Sequence, residues 1–315
     1  MNFSKLKILV IGDVMIDSFI YTESYRMSPE DSSVPVLTPN QKFFTLGGAA
    51  NVAANLKNLG ANVDLVSIIG SDIFGQSFLN MLKVKGISTK KILESNLVKT
   101  TLKERVFLNT KQIYRLDYEQ NLNDSFSKLI IKQIKKISKD YDSVILSDYN
   151  KGVLNKDTIS FIIKYFDCPV IVDPKKNDFS IYQNATALTP NLTELEKATS
   201  SSLRSNKSIE KVCNSLLHDF NLKFIVLTRG EKGISLISKD GIKHIKAFPI
   251  EKPDVTGAGD SVISTLTLTY ALDRDEVFAT KIANLAGSIS VSKTGTSTVS
   301  INELQEKAKR NKVKI

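Results

Sequence analysis

The sequence predicts an α/β protein with a mostly parallel central sheet, helices on both of its faces, and a small antiparallel β lid. Three observations predict it. Short β-branched apolar runs alternate with helical segments along most of the chain, the rhythm of parallel strands joined by crossover helices. Two regions, from about Ser18 to Leu46 and from about Val98 to Asp117, instead show period-two alternation with no helix between the runs. Polar residues recur directly after the apolar runs, at the carboxyl edge where open α/β sheets bind ligands.

Taken in order, "KILVIGD" reads as a buried first strand, and Asp13 interrupts its apolar run with no cleavage-site pattern behind it, so it is not read as a signal peptide. "AANVAANLKNLG" reads as a helix closed by Gly60, and "VDLVSIIG" as the next strand. "SVPVLT", "TTLKERVFLN" and "QIYRLDY" alternate and supply the lid. "LIIKQIKKISKDYD" is a helix whose lysines fall on a solvated face. "SVILSDY", "PVIVDP" and "FIVLTRG" are strands, separated by the helices "NKDTISFIIKYF" and "NKSIEKVCNSLLHDF". No Pro/Gly-rich linker, low-complexity tract or internal repeat appears, so residues 1–315 read as one domain.

Composition narrows the function classes. The chain is 42% hydrophobic with no uninterrupted apolar stretch near the ~20 residues that span a bilayer, so a cytoplasmic protein is expected. Cys168 and Cys213 are too few for a disulfide framework and lack metal-ligand spacing. The net charge of +10 comes from scattered lysines rather than a block or an aromatic-interleaved stripe, which argues against nucleic acid or a membrane as partner. It suits a site for small anionic molecules.

Several polar residues fall on the carboxyl edge of the sheet. Asp13 and Asp17 follow the first strand, Asp148 follows "SVILS", Asp173 and Lys175 follow "PVIV", and Thr228 to Gly230 follow "FIVL". Each taken singly is equally a cap or turn residue. The stretch "DVTGAGDSV", Asp254 to Val262, says more. Its glycines precede a helical segment, so the N–H groups of Thr256 to Gly259 are expected to face outward at a helix N-terminus and form an anion hole. Asp260 then sits in the first turn as an ionised carboxylate able to accept a proton. Donors beside a carboxylate are what phosphoryl transfer to a hydroxyl requires. Alone, the same residues are also an ordinary glycine-rich turn.

With "GGAAN" at Gly47–Asn51 and "DVTGAGD" ending at Asp260, the chain resembles the ribokinase-like (PfkB) sugar kinases, which carry G-G-x-x-N and D-T/V-x-G-A-G-D motifs. In order along the chain, "GDVMID", "SPE", "GGAANVAANLKNLGA", "RLDYE", "SDYNKG", "VDPKK", "LTPNLTELE" and "GTSTVS" are similar, more narrowly, to the D-glycero-D-manno-heptose 7-phosphate kinases. The resemblance implies a ribokinase-like three-layer fold and ATP with Mg²⁺ as cofactors. It implies Asp260 as the base, with Gly257, Ala258 and Gly259 holding developing charge. Asp17, Gly47, Gly48 and Asn51 would contact sugar hydroxyls. Asn191 and Glu194 match the family's N-x-x-E motif, which organises Mg²⁺ through water and the phosphates. Thr228, Gly230, Gly233 and Asn284, with Asn191, would bind the nucleotide. Local alternatives stand beside these roles: a tight turn for "GGAAN", a helix cap for Asn191 with Glu194 in the first turn, and a hairpin turn for "TRGEKG".

The reaction implied is phosphorylation of the anomeric hydroxyl of the heptose 7-phosphate, in ADP-heptose synthesis. Lys103 and Arg105, two apart and so on one strand face, with Arg115, Asp148 and Lys175, are the residues expected to hold the phosphosugar. Arg105→Ala is expected to erase the preference for phosphate through KM. A nucleoside or unphosphorylated-sugar kinase would not need those cations, and a non-catalytic nucleotide sensor would not need Asp260 or the N-x-x-E motif. Two lid departures from the heptose kinases, Ser18–Phe19 and Asp31–Ser33, are expected near the sugar pocket. The chain ends soon after its last helical segment and has only His218 and His244, far apart. The nucleotidyltransferase domain of many bacterial relatives is therefore not expected, and a separate nucleotidyltransferase would act next. Exposed lid edges predict a homodimer through residues near Val34–Leu46 and Leu102–Leu116.

Overall fold

The computed structural model describes residues 1–250, 254–293, 295 and 297–313; Thr296 of the "GTSTVS" stretch lies outside them. The chain starts in the body with β1 (Lys7–Gly12) and leaves it through β2 (Val14–Met27) and β3 (Pro35–Gly48). It returns as α1 (Ala49–Asn58), β4 (Asn62–Gly70), α2 (Ile73–Val84) and β5 (Ile92–Ser95), then leaves again through β6 (Leu102–Leu108) and β7 (Lys111–Tyr118). The rest is body: α3 (Ser125–Ile134), β8 (Ser143–Ser147), α4 (Lys156–Tyr165), β9 (Val170–Asp173), β10 (Ala187–Leu188), α5 (Leu192–Thr199) and α6 (Asn206–Asp219). β11 (Phe224–Thr228), β12 (Ile234–Ser238), β13 (Gly241–Ile245), α7 (Ala258–Asp273), α8 (Glu276–Ser290) and α9 (Ile301–Arg310) complete it.

The body sheet has nine strands in the order β13-β12-β11-β10-β9-β8-β1-β4-β5, parallel from β11 to β5 with an antiparallel edge at β11–β12–β13. Period-two alternation splits β1 between two cores: Ile8 and Val10 pack on the side of α1, α7 and α8, and Leu9 and Ile11 on the side of α3, α4 and α6. Each such side chain, fully buried, contributes on the order of 1.5–3 kcal/mol. β1 lies between β8 and β4, so the chain crosses over in opposite directions on its two sides. Beyond the carboxyl ends of β1 and β8, that switch point is where such a sheet takes its ligand crevice. No helix among the described residues is long and apolar enough to cross a membrane.

The lid has four strands in the order β3-β2-β6-β7. β2–β3 and β6–β7 are antiparallel as expected, but the central pair, β2–β6, is parallel. The cause is the excursion through α1 to β5: β6 leaves the body in the same direction as β2. Only Asp13 separates β1 from β2, and β3 runs directly into α1, so lid and body are joined by continuous backbone. Gly48 makes that junction at φ 60°, where a Cβ would collide with the Asp13 carbonyl.

Of the two lid departures, only Phe19 shares the face of Asp17. Ser18 points to the opposite face from Asp17 and donates to Glu104 at 3.2 Å, as strand alternation requires. Asp31–Ser33 form an exposed turn closed by Asp31, which accepts the Ser33 amide at 2.8 Å. Phe19 is stacked on Phe43 at 5.1 Å.

Candidate active site

The "DVTGAGDSV" turn delivers a buried carboxylate to the crevice. Gly257 takes a left-handed conformation, φ 76°, ahead of α7. Asp254 pins the turn by accepting the Thr256 amide at 3.0 Å and the Gly295 amide at 2.7 Å. The Ala258 amide is spent on the Val255 carbonyl at 3.2 Å. The continuous row of outward N–H groups expected from Thr256 to Gly259 is therefore reduced to two. The Gly257 and Gly259 amides have no acceptor among the described residues. A Cβ added at Gly259 would meet nothing within 4 Å, so the space over it is open to a ligand.

Asp260, in the first turn of α7, is 3% exposed. Its Oδ2 accepts the Asn51 side-chain amide at 2.6 Å, and its Oδ1 accepts the Tyr149 hydroxyl at 2.8 Å. Burial pushes its pKa up to about 6; the two donors pull it down, and the charge of Asp17 adds to the rise. A carboxylate so placed is ionised at neutral pH yet closer in proton affinity to its task than a free Asp.

Tyr149 reaches Asp260 from a loop held by Asp13. The Asp13 carboxylate accepts the amides of Tyr149 at 2.9 Å, Lys151 at 3.0 Å and Val153 at 3.0 Å. Burial raises the Asp13 pKa, and these three donors oppose it. Asp148, expected on the substrate, turns inward instead. Its carboxylate is fully covered and accepts the Tyr182 hydroxyl at 2.7 Å and the Asn150 amide at 2.6 Å. It braces the loop from beneath.

One lid face carries the cations. The register sets Asp17 beside Lys103 and Lys103 beside Asp117, with Phe19, Arg105 and Arg115 forming the next row. Arg105 donates to Asp17 at 2.7 Å and lies over the Phe19 ring. Arg115 grips Asp117 through two bonds of 2.8 Å. Glu119 is shared by Lys151 at 2.6 Å and Lys103 at 3.9 Å. Burial, and then Arg115, lower the Lys103 pKa. Gly47 is glycine because a Cβ there would collide with the Asp17 carboxylate.

The other end of the crevice holds the N-x-x-E motif. Asn191 caps α5 by accepting the Glu194 amide at 2.8 Å, and Glu194 returns Oε2 to the Asn191 amide at 2.9 Å. Glu194 Oε1 accepts from Lys175 at 2.8 Å, so Lys175 stands at this end rather than among the lid cations. Desolvation, and then the charges of Glu194 and Asp260, raise the Asp173 pKa well above the carboxylate range. The Thr228 amide donates to the Pro190 carbonyl at 3.0 Å and ties β11 to this segment. Arg229–Gly233 do form the hairpin connection from β11 to β12; Gly233 is needed there because a Cβ would collide with the Ile245 carbonyl, whereas Gly230 faces open space. Asn284 donates to the Lys246 carbonyl at 2.8 Å.

These motifs, together with a lid hinged over a sheet's switch point, match one family across the chain. The description "pfkB family carbohydrate kinase" matches residues 5–303. The chain belongs to the pfkB carbohydrate kinase family. It is 37% identical over 309 residues to the bifunctional protein HldE of Campylobacter curvus, covering 96% of this chain and 65% of that protein. With HldE of Hydrogenovibrio crunogenus the identity is 39% over 307 residues, covering 97% and 63%. The chain thus spans less than two-thirds of the length of these relatives. Among solved structures, phosphofructokinase-2 from Escherichia coli superposes with a TM-score of 0.81 at 19% identity, covering 98% of this chain and 99% of that one. Ribokinase from Thermotoga maritima gives 0.76 at 21%, covering 96% and 99%. This is the ribokinase-like fold.

In this pfkB kinase the structure brings Asp260, Asn51, Asp17 and Arg105 to one crevice, with Lys103 and Arg115 on the same lid face. Asn51, expected on the sugar, instead bonds the carboxylate of Asp260 itself. Tyr149, Lys151 and Glu119 were not among the residues singled out in the sequence. Their one signal was place: Tyr149 and Lys151 follow β8 at the sheet's carboxyl edge, and Glu119 ends "RLDYE".

Proposed function

We propose that the chain transfers the γ-phosphoryl group of ATP to the anomeric hydroxyl of D-glycero-β-D-manno-heptose 7-phosphate, giving the 1,7-bisphosphate for ADP-heptose synthesis. One observation carries this reading: a cationic lid face adjoining the Asp260 carboxylate. Asp17 is near enough for its charge to raise the Asp260 pKa, and Arg105 is bonded to Asp17. Lys103, Arg105 and Arg115 on the lid and Lys151 beside it stand among the carboxylates of Asp17, Asp117 and Glu119, with Asp254 near enough to feel the charge of Arg105. A dianionic phosphate would take charge-assisted hydrogen bonds from these cations and leave the sugar's other end at Asp260. The likeness to HldE over nearly the whole chain supports the same sugar class.

In the reaction, the acceptor hydroxyl gives its proton to Asp260 as its oxygen bonds the γ-phosphorus and the bridging P–O bond to ADP breaks. The Gly257 and Gly259 amides meet the charge on the transferring oxygens. Among the described residues no group of three or more His, Cys, Asp or Glu side chains forms a closed metal cage. Glu194 and Asn191 are a carboxylate-and-amide pair that fits Mg²⁺ held mainly by phosphates and water. When bound, such an ion would neutralise phosphate charge, and Lys175, paired with Glu194, would stand beside it. Turnover with ATP of a panel containing the heptose 7-phosphate, the free heptose, hexose phosphates and nucleosides tests this reading. The heptose 7-phosphate is expected to have the highest kcat/KM, and a nucleoside or unphosphorylated sugar at the top would overturn it.

The far face of the lid supports a homodimer. Phe44 on β3 and Tyr114, Leu116 and Tyr118 on β7 are 44%, 52%, 46% and 52% exposed on the sheet's two edge strands. Apolar patches on open edges are commonly covered by a second copy. Light scattering is expected to give twice the chain mass at micromolar concentration, and Leu116→Lys to give the single mass. A wild-type monomer across that range would rule the dimer out.

A further inference from the structure

We propose that Tyr149 is the positioning residue of the catalytic base: its hydroxyl orients the Asp260 carboxylate and holds it ionised while leaving an oxygen lone pair for the acceptor hydroxyl. The inference rests on the assignment of Asp260 as base. Each Asp260 oxygen accepts one protein donor, Tyr149 on Oδ1 and Asn51 on Oδ2, and a carboxylate oxygen has room for a second. The acceptor hydroxyl therefore need not displace either donor. Tyr149 is not a loose loop residue. Asp13 binds the amides of residues 149, 151 and 153, so the phenol is set by the carboxyl ends of β1 and β8 together.

The charged groups that face this pair are Asp17 from the lid, with Arg105 bonded to it, and Asp173 after β9. Asp17 favours the protonated form of Asp260, and the lowering contributions come from two neutral donors, Asn51 and Tyr149. The phenol is suited to the task because burial, and then the charges of Asp260 and Asp173, push its own pKa far up. It therefore stays a donor through the working pH range. Removing it raises the proton affinity of Asp260, so the loss of activity must be greatest on the acid side.

The test is the pH profile of kcat/KM for the phosphosugar. The wild-type acid limb is expected near pH 6, where Asp260 titrates. Tyr149→Phe is expected to move that limb up by about one unit, an approximately tenfold loss below it, with activity recovering to within about threefold of wild type at the alkaline end. The KM for ATP should not change. Incorporating 3-fluorotyrosine at position 149, a stronger donor, should move the limb the other way, and it decides the matter if the Phe variant folds poorly. A loss by the same factor at every pH, or a limb that stays in place in both variants, overturns the proposal. Turnover retained by Asp260→Asn would remove the base assignment itself; an inactive Asp260→Asn with an unmoved Tyr149→Phe profile removes only this inference.

Discussion

Asp260→Asn is expected to lower kcat by about 10² to 10⁴, the range for general base catalysis, with little change in ATP affinity. The structure gives reasons for both halves. Asp260 is covered, so bulk water offers no substitute base at the acceptor oxygen. The replacement keeps the side chain's shape and an oxygen to accept the Tyr149 hydroxyl. Asn51 can turn its amide to offer an oxygen to the new amide. The end proposed to hold the nucleotide, from Asn191 and Glu194 to Thr228 and Asn284, is built from α5, β11 and α8 and, among the described residues, makes no bond to Asp260. Single-turnover rates and equilibrium ATP binding separate the two effects. Near-normal turnover would take Asp260 out of the mechanism.

Lys103→Ala is expected to raise KM for the phosphosugar by about 10- to 100-fold with kcat nearly unchanged, the worth of one charge-assisted hydrogen bond made equally in ground and transition states. Of the lid cations, Lys103 has the weakest hold on its partner, at 3.9 Å from Glu119, and is the most readily given to an incoming phosphate. Arg105 is different. The sequence-based expectation that Arg105→Ala would selectively erase the preference for phosphate changes once the guanidinium is seen on Asp17, itself beside Gly47 and near the base. Removing it disturbs the placement of Asp17, so turnover of phosphorylated and unphosphorylated sugar is expected to fall together. Steady-state constants for both sugars with both variants check this. A selective effect of Arg105→Ala and none of Lys103→Ala would exchange their roles.

Periodicity made the fold legible. Alternation separated lid from body, and the glycine turn before α7 marked Asp260 because all its signals lie within a few residues. Strand direction is another matter, since alternation reads the same both ways, and so the parallel β2–β6 pair was missed. Asp148 illustrates a second limit: a polar residue at a strand end turns inward or outward according to what is packed beneath it, here Tyr182. Tyr149 illustrates a third. Its partner Asp260 is 111 positions away and the Val153 amide is 140 from the Asp13 that binds it, distances that only the folded sheet closes.

In the proposed reaction, a phosphate at one end of the sugar orients its anomeric hydroxyl at the other toward Asp260. Phosphorus NMR of the product formed from ATP, Mg²⁺ and D-glycero-β-D-manno-heptose 7-phosphate tests it most directly. Two sugar phosphate signals are expected, the original at the 7-position and a new one on the anomeric oxygen, with far slower product formation from the free heptose. A new phosphate at any other position, or equal turnover of the unphosphorylated sugar, would contradict it.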